Sequence, residues 1–154
     1  VLLIDADMRR PNVLKTMGLN DGPGLSTFLI GETDLGSIIR KSDIVGLDVI
    51  GAGPIPPNPS ELAEDPRMAE LFTTMRQRYD HIIVDASPIG LVSEFVVLLG
   101  YLDLSLYVVR ERHTPRRALR SINEMVANGK VGRVDLLLND VKAERAQGYG
   151  YYTK

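Results

Sequence analysis

The chain has 154 residues, 44% of them apolar and 25% charged, with a net charge of −2 and no cysteine. That length supports one domain able to bury roughly 68–70% of its unfolded surface, and the weak negative charge offers no bulk attraction to nucleic acid or anionic lipid. The missing cysteine excludes disulfides and thiolate metal sites and fits the cytoplasm, and no apolar run approaches the roughly 18 residues a bilayer crossing needs.

Val1–Ala6 reads as a short buried strand. It lacks the basic leader of a signal peptide, and its apolar run ends at Asp5. Because the chain starts on Val inside a strand pattern, the sequence reads as a fragment whose upstream part is missing. Asp5, Asp7 and Arg9 follow each other at alternate positions, so they share one side if the extended backbone continues. Two carboxylates at a strand end can hold magnesium, directly or through water, and one can accept a hydroxyl proton. The same residues also describe a solvated strand end with an arginine nearby.

Leu47–Ile50 is a second apolar strand. In the segment Gly53–Leu62, Pro54, Pro56, Pro57 and Pro59 fix much of the backbone, giving a stiff loop that leads into a helix. Taken alone it is a rigid connector. Asp65-Pro66 gives an N-cap and a first-turn proline, and Met68, Leu71, Phe72 and Met75 then share one helix face. His81–Asp85 is a third strand. Its terminal Asp85 stands where nucleotide triphosphatases place a magnesium-directed carboxylate, although many strands end in Asp to make a turn.

Ser93–Leu99 reads as a short apolar helix and Leu104–Arg110 as a fourth strand. Thr114-Pro115 starts a helix carrying Leu119, Ile122, Met125 and Val126, closing near Gly129. Arg133–Leu138 is the fifth strand and leads to Asn139. The tail turns polar and ends in Gly148-Tyr149-Gly150-Tyr151-Tyr152-Thr153-Lys154. Strands alternating with helices predict a parallel α/β sheet, whose C-terminal strand ends form the ligand crevice. His81 and His113 lack ligand spacing and read as structural or solvated.

Together these segments resemble the bacterial tyrosine kinase family over nearly the whole chain and in the expected order. Asp-x-Asp-x-Arg looks like its Walker A′ motif, and the strand ending at Asp85 looks like its Walker B motif, with Ala86-Ser87-Pro88 replacing the commoner Asp-x-Pro sequel. Gly53–Leu62 is close to the family's Gly-x-x-Pro-Pro-Asn-Pro-x-Glu-Leu loop. Leu106–Arg110, the Thr114–Leu119 segment, Leu138-Asn139-Asp140-Val141 and the glycine–tyrosine tail complete the series. The resemblance implies a P-loop NTPase-like α/β fold of the deviant Walker type, a mostly parallel sheet flanked by helices. The kinase-domain part is expected over residues 1–146 and a flexible tyrosine tail over 147–154.

It further implies an ATP-dependent, magnesium-dependent autokinase that phosphorylates the tail tyrosines of neighbouring copies and regulates exopolysaccharide or capsule assembly and export. Asp5 is then the expected base and Asp7 and Asp85 the magnesium partners, with the division between Asp5 and Asp7 open. Arg9 balances phosphate or acidic charge, Asn139 meets adenine, and Tyr149, Tyr151 and Tyr152 are the acceptors. The implied partners are a transmembrane chain-length regulator, fused or separate, other copies of the chain and a tyrosine phosphatase, at the cytoplasmic face of the cell membrane. No nucleic acid is expected. The family's Gly-x-x-x-x-Gly-Lys-Ser/Thr loop does not occur in the 154 residues. A strand–helix–strand unit to carry it needs about 30 residues, so the loop is expected upstream of Val1, and the 154 residues alone are expected to be inactive. Two rivals remain at this stage: a deviant-Walker ATPase of the partitioning or division-site type, and a non-catalytic module that binds a membrane partner.

Overall fold

The computed structural model describes residues 1–88, 94–129 and 131–141. The chain divides into two compact units, Val1–Tyr101 and Leu102–Lys154. In the first, strand β1 (Leu2–Asp5) lies between β3 (Asp48–Ile50) and β4 (Ile82–Asp85), parallel to both. A short edge strand, β2 (Ile39–Lys41), runs antiparallel to β3, giving the order β2-β3-β1-β4. In the second unit β5 (Ser105–Arg110) and β6 (Val134–Asn139) pair in parallel as a separate two-stranded sheet. The five strands read from sequence are all present and their pairings are parallel. They are distributed over two sheets, where the sequence pattern suggested one, and β2 joins them as an unforeseen member.

Both faces of the first sheet are covered at β1 and β3, while Ile83 of β4 is exposed. Leu2 and Ile4 of β1 and Ile50 of β3 pack with Leu25, Phe28 and Leu29 of α2 (Leu25–Leu29) and Met68, Leu71, Phe72 and Met75 of α5 (Arg67–Arg76). Leu3 and Val49 point the other way, against Val13 and Leu14 of α1 (Val13–Thr16), with Met17 and Leu19 beside them. This is why β1 reads as continuous apolar sequence: alternate residues serve different layers, and both layers are apolar. The short helices α3 (Leu35–Ile38), α4 (Pro59–Ala63) and α6 (Glu94–Leu98) complete the unit. In the second unit α7 (Arg116–Ala127) connects β5 to β6.

Two helix starts differ by one residue from the sequence reading. Pro66 and Pro115 occupy the N-cap positions themselves. Asp65 still accepts an orphan helix amide, from Arg67 at 2.8 Å. Thr114 instead accepts the amide of Arg110 and so tightens the turn leaving β5. At the N-terminal edge of the first sheet, buried Asp48 accepts hydrogen bonds from Tyr79 Oη at 2.7 Å and Lys41 Nζ at 2.9 Å. These donors hold its carboxyl below the ordinary range, while burial and the Asp48 contact push the Tyr79 phenol up to about 12. The bonds pin β2 and the α5–β4 connection to β3, away from the carboxylates described next.

Candidate active site

β1 and β4 run parallel and in register, so Asp5 and Asp85, each the last residue of its strand, are Cα partners. Both carboxylates therefore emerge at the same C-terminal sheet edge, where an open α/β sheet binds ligands. Their surroundings differ. Asp5 is 1% exposed, and its carboxylate accepts three backbone amides: Asp7 N at 3.2 Å on Oδ1, and Asn12 N at 3.1 Å and Val13 N at 3.0 Å on Oδ2. Helix α1 has no cap from its own N-cap side chain, so Asp5 supplies that cap from the strand. Burial raises the Asp5 carboxyl above its ordinary value; the three amides oppose the rise, and the charge of Asp85 adds to it.

The extended backbone does not persist to Arg9. The strand ends at Asp5 and the chain turns over Met8–Arg10. Asp7 Oδ1 accepts the amides of Arg9 at 3.2 Å and Arg10 at 3.1 Å, an Asx-type turn that fixes the carboxylate by its own backbone. The alternation argument for Asp5, Asp7 and Arg9 is thus replaced by a turn that Asp5 and Asp7 themselves build. Arg9 donates to Ser60 Oγ at 3.0 Å, linking this turn to the start of α4 at the end of the proline loop. Asp85 is exposed on its outer side. Crowding by neighbouring chain desolvates it enough to raise its carboxyl, and the negative charge of Asp7 raises it further.

This arrangement fits a magnesium ion. Asp7 and Asp85 repel one another electrostatically, which is the condition a dication relieves, and magnesium is commonly bound through one or two carboxylates with water and phosphate filling the other positions. Among the described residues no three acidic or histidine side chains form a group that could hold a metal unaided. Asp5, with most of its acceptor capacity turned to amides, is poorly placed to be a third direct ligand.

The proline loop forms the opposite wall. Gly53 has φ +79°, and Ser26 Oγ donates to Pro54 O at 2.7 Å, while the amides of Leu25 and Ser26 at the start of α2 donate to Gly51 O and Ala52 O, both at 2.8 Å. Between this loop and α1 lies a cleft of about 630 Å³ with Asp5 on its lining. Leu14, Lys15 and Leu19, which shape it, escaped the sequence reading. Their signal was Pro11-Asn12 before an apolar pair, a helix start too short to show a period.

The remaining expected site residues belong to later segments of the chain. Asn139 ends β6 in the second unit, and its Oδ1 accepts the amide of Asp140 at 2.8 Å. Nearby, Arg110 at the end of β5 pairs with Asp140 at 2.9 Å. Tyr149, Tyr151 and Tyr152, and the domain boundary expected at 146, fall outside the described residues.

No protein-family model matches the sequence. Curated relatives do. The chain is 34% identical over 152 residues to the tyrosine-protein kinase YwqD of Bacillus subtilis, covering 99% of this chain and 64% of that protein. It is 34% identical over 149 residues to the tyrosine-protein kinase ptk of Acinetobacter johnsonii, covering 97% of this chain but 20% of that one. The chain thus spans less than two thirds of the length of either relative. Among solved structures, the kinase domain of the Escherichia coli tyrosine kinase ETK superposes with a TM-score of 0.86 at 33% identity, covering 99% of this chain and 60% of that domain. The VpsO kinase domain gives 0.83 at 30% identity, covering 92% and 70%. The cell division ATPase MinD of Pyrococcus furiosus, at 17% identity and a TM-score of 0.71 over 96% of this chain and 65% of that one, shares the fold alone. With Asp5 and Asp85 in register at the sheet edge, and with 30% identity to a kinase domain of which it covers 70%, this chain belongs to the bacterial tyrosine-protein kinase family.

Proposed function

We propose that this chain supplies the Walker A′ and Walker B half of an ATP-dependent protein-tyrosine autokinase that regulates exopolysaccharide or capsule assembly and export. The observation that carries the reading is the register pairing of Asp5 with Asp85 in a chain of this family. Asp7 and Asp85 would hold a magnesium ion, which when bound would supply positive charge to offset that of the phosphates. Asp5 takes the phenol proton of the acceptor. Its raised pKa brings it closer to working pH, as a general base requires. The phenol oxygen attacks the γ-phosphorus, the bond from phosphorus to the β,γ-bridging oxygen breaks, ADP leaves with the electron pair, and the proton passes to a carboxylate. Arg9 holds the Asp7 turn against the proline loop through Ser60, and its charge also suits an anionic ligand. Asn139 is proposed to meet adenine, since an amide both donates and accepts.

The proposed acceptors are Tyr149, Tyr151 and Tyr152 of neighbouring copies. The proposed partners are a transmembrane chain-length regulator, fused or separate, and a tyrosine phosphatase that reverses the reaction, with the kinase at the cytoplasmic face of the membrane. Among the described residues no helix is long and apolar enough to cross a membrane.

The test uses the full-length protein with ATP and magnesium. Mass spectrometry should find phosphate on the tail tyrosines. Asp5→Asn should lower the rate by about 10²–10⁴-fold, the usual worth of a positioned base, and Phe at all three tail positions should remove the acceptors while nucleotide still binds. Brisk ATP hydrolysis with unmodified tyrosines would overturn the kinase reading in favour of a partitioning-type ATPase.

A further inference from the structure

The second unit carries a concentration of positive charge. Residues 110–120 hold Arg110, Arg112, Arg116, Arg117 and Arg120 against one acidic residue, Glu111, a net +4 in a chain whose total is −2. Two of these arginines are engaged: Arg110 pairs with Asp140 at 2.9 Å, and Arg112 leans on Glu111 at 3.8 Å. Arg116, Arg117 and Arg120 are exposed, and among the described residues none of their guanidinium groups has an ion-pair partner. All three open α7, at i, i+3 and i, i+4 spacings that make them neighbours on one helix face. They repel each other there. They also stand at the helix end where the backbone dipole is already positive, with no acidic residue in the first turn.

The route of the chain selects the anion. β6 ends at Asn139, and the carboxylate of Asp140 is held by Arg110 at 2.9 Å, with His113 Nδ1 at 3.8 Å from the same oxygen. The chain therefore leaves the sheet beside the turn that leads into α7. Tyr149 follows Asp140 by nine residues, a reach of up to about 30 Å for extended chain, so the tail tyrosines are tethered within range of the three arginines. A short tether of this kind gives an effective concentration on the order of millimolar. From Arg145 to Lys154 the sequence has two basic residues and no acidic one, so the unmodified tail has no charge to offer the arginines. Phosphate on a tyrosine brings about −1.5 to −2 charges and three acceptor oxygens, and an arginine fork meets phosphate with two parallel hydrogen bonds. An anionic bilayer would also attract arginines, but Ile122, the apolar residue at the centre of α7, is buried against its own unit and not free to enter lipid.

We infer that the arginine face of α7 is a docking surface for this chain's own phosphorylated tyrosine tail. Phosphorylation reverses the sign of the tail's charge and turns an indifferent segment into one that folds back on the unit it leaves. The inference rests on the kinase reading above, which supplies the phosphotyrosine, and adds to it a destination for the product. A docked tail is withdrawn from neighbouring copies. Each further phosphate strengthens the docking, so the withdrawal sharpens as modification proceeds from one tyrosine to three.

The test uses the full-length protein with Tyr149→Phe, Tyr151→Phe and Tyr152→Phe, which leaves the surface open, and labelled Gly-Tyr-Gly-Tyr-Tyr peptide with and without phosphate on its tyrosines. Fluorescence polarisation should show the phosphopeptide binding at least about tenfold more tightly than the plain one, with an affinity that falls as salt rises. Arg116→Glu, Arg117→Glu and Arg120→Glu together change the net charge of residues 110–120 from +4 to −2. Glutamate suits the first turn of a helix, so this variant keeps its fold, and its phosphopeptide affinity should fall at least about tenfold. The autophosphorylated parent should bind added phosphopeptide about tenfold more weakly than the Phe variant, because its own tail fills the surface, and phosphatase treatment should restore binding. Equal affinity for the two peptides, or unchanged phosphopeptide affinity in the glutamate variant, overturns the proposal. So does a parent that carries tail phosphate yet binds the peptide as tightly as the Phe variant. A glutamate variant that loses phosphatidylglycerol vesicles but keeps the phosphopeptide overturns it in favour of a lipid surface. If the parent places no phosphate on its tail, the kinase reading fails, while the synthetic peptides still decide what the arginines bind.

Discussion

At the residue scale, the acidic positions carry two jobs that oppose each other. Asp5 organises backbone: it gathers the amides of Asp7, Asn12 and Val13 and so shapes the turn that presents Asp7. Asp85 makes no such investment and stands near Asp7 with charge repelling charge. Its folded carboxyl therefore binds a proton more tightly than the ordinary value of 3.8. For a carboxyl raised in this way, the native state is favoured below the unfolded pKa, and that advantage is lost as pH rises through the folded pKa. Asp85→Asn removes the ionisation and escapes the loss. The variant is expected to melt at a higher temperature than the parent at pH 7, and the two should converge below that ordinary value of 3.8. Melting curves across pH without magnesium check this. A gap that persists at pH 3 would mean packing, rather than charge, separates the two. Such a gain would place Asp85 among residues kept for function at some expense of stability. The sequence disclosed the two carboxylate positions because strand-final aspartates are visible in it. It did not disclose that Asp5 is a cap, since the amides it collects are assigned by the path of the backbone.

At the element scale, what the sequence revealed follows the length of the periodic signal. The ten-residue α5 and twelve-residue α7 show full turns of apolar repeat, and both were legible to within a residue or two. Helices α1, α2 and α3 hold four or five residues each, about one turn, which is too short for a 3.6-residue period to declare itself. Strand β2, Ile-Arg-Lys, has one apolar residue and exists because it pairs with β3. A close backbone approach decides the position of α2. A Cβ on Gly24 would collide with the carbonyl of Gly51 and the amide of Gly53, and one on Gly53 would stand 2.6 Å from Ser26 Oγ. These contacts are what let the first amides of α2 use β3's exit as their cap. Gly24→Ala is therefore expected to destabilise by about 2–4 kcal/mol, in the range of a severe single substitution, because the obstructing atoms are backbone and cannot rotate away. Gly36, with nothing within 4 Å of its would-be Cβ, is the control, and Gly36→Ala in α3 should be neutral or stabilising by up to about 1 kcal/mol. Denaturant titration of both variants measures the contrast; equal effects would show that the backbone at Gly51 and Gly53 yields to the added methyl group.

At the scale of the whole molecule, the core is unevenly shared. The first unit holds Leu2, Leu25, Ile38, Val49, Ile50, Leu71 and Met75 at 0% exposure. In the second, the strands carry Leu106 at 61%, Val108 at 47%, Leu136 at 63% and Leu138 at 60% exposed, and only Ile122 and Val131 are buried apolar residues among those described. Both sets of strands are equally apolar in sequence, which is why the sequence could not tell them apart: it records hydrophobicity, not how much of it is covered. Coverage sets local stability, because an opening that exposes little new apolar surface forfeits little free energy. A two-stranded ribbon is also marginal by itself in water. Amide hydrogen exchange on the 154-residue chain should therefore separate the units. Amides of β1 and β3 are expected to exchange at least a hundredfold more slowly than those of β5 and β6, a difference of about 2.8 kcal/mol in opening free energy at a tenfold per 1.4 kcal/mol. Peptide-level mass spectrometry resolves Leu2–Asp5 and Asp48–Ile50 from Ser105–Arg110 and Val134–Asn139. Equal protection would mean that the apolar faces of β5 and β6 are covered in solution, and that the two units open as one.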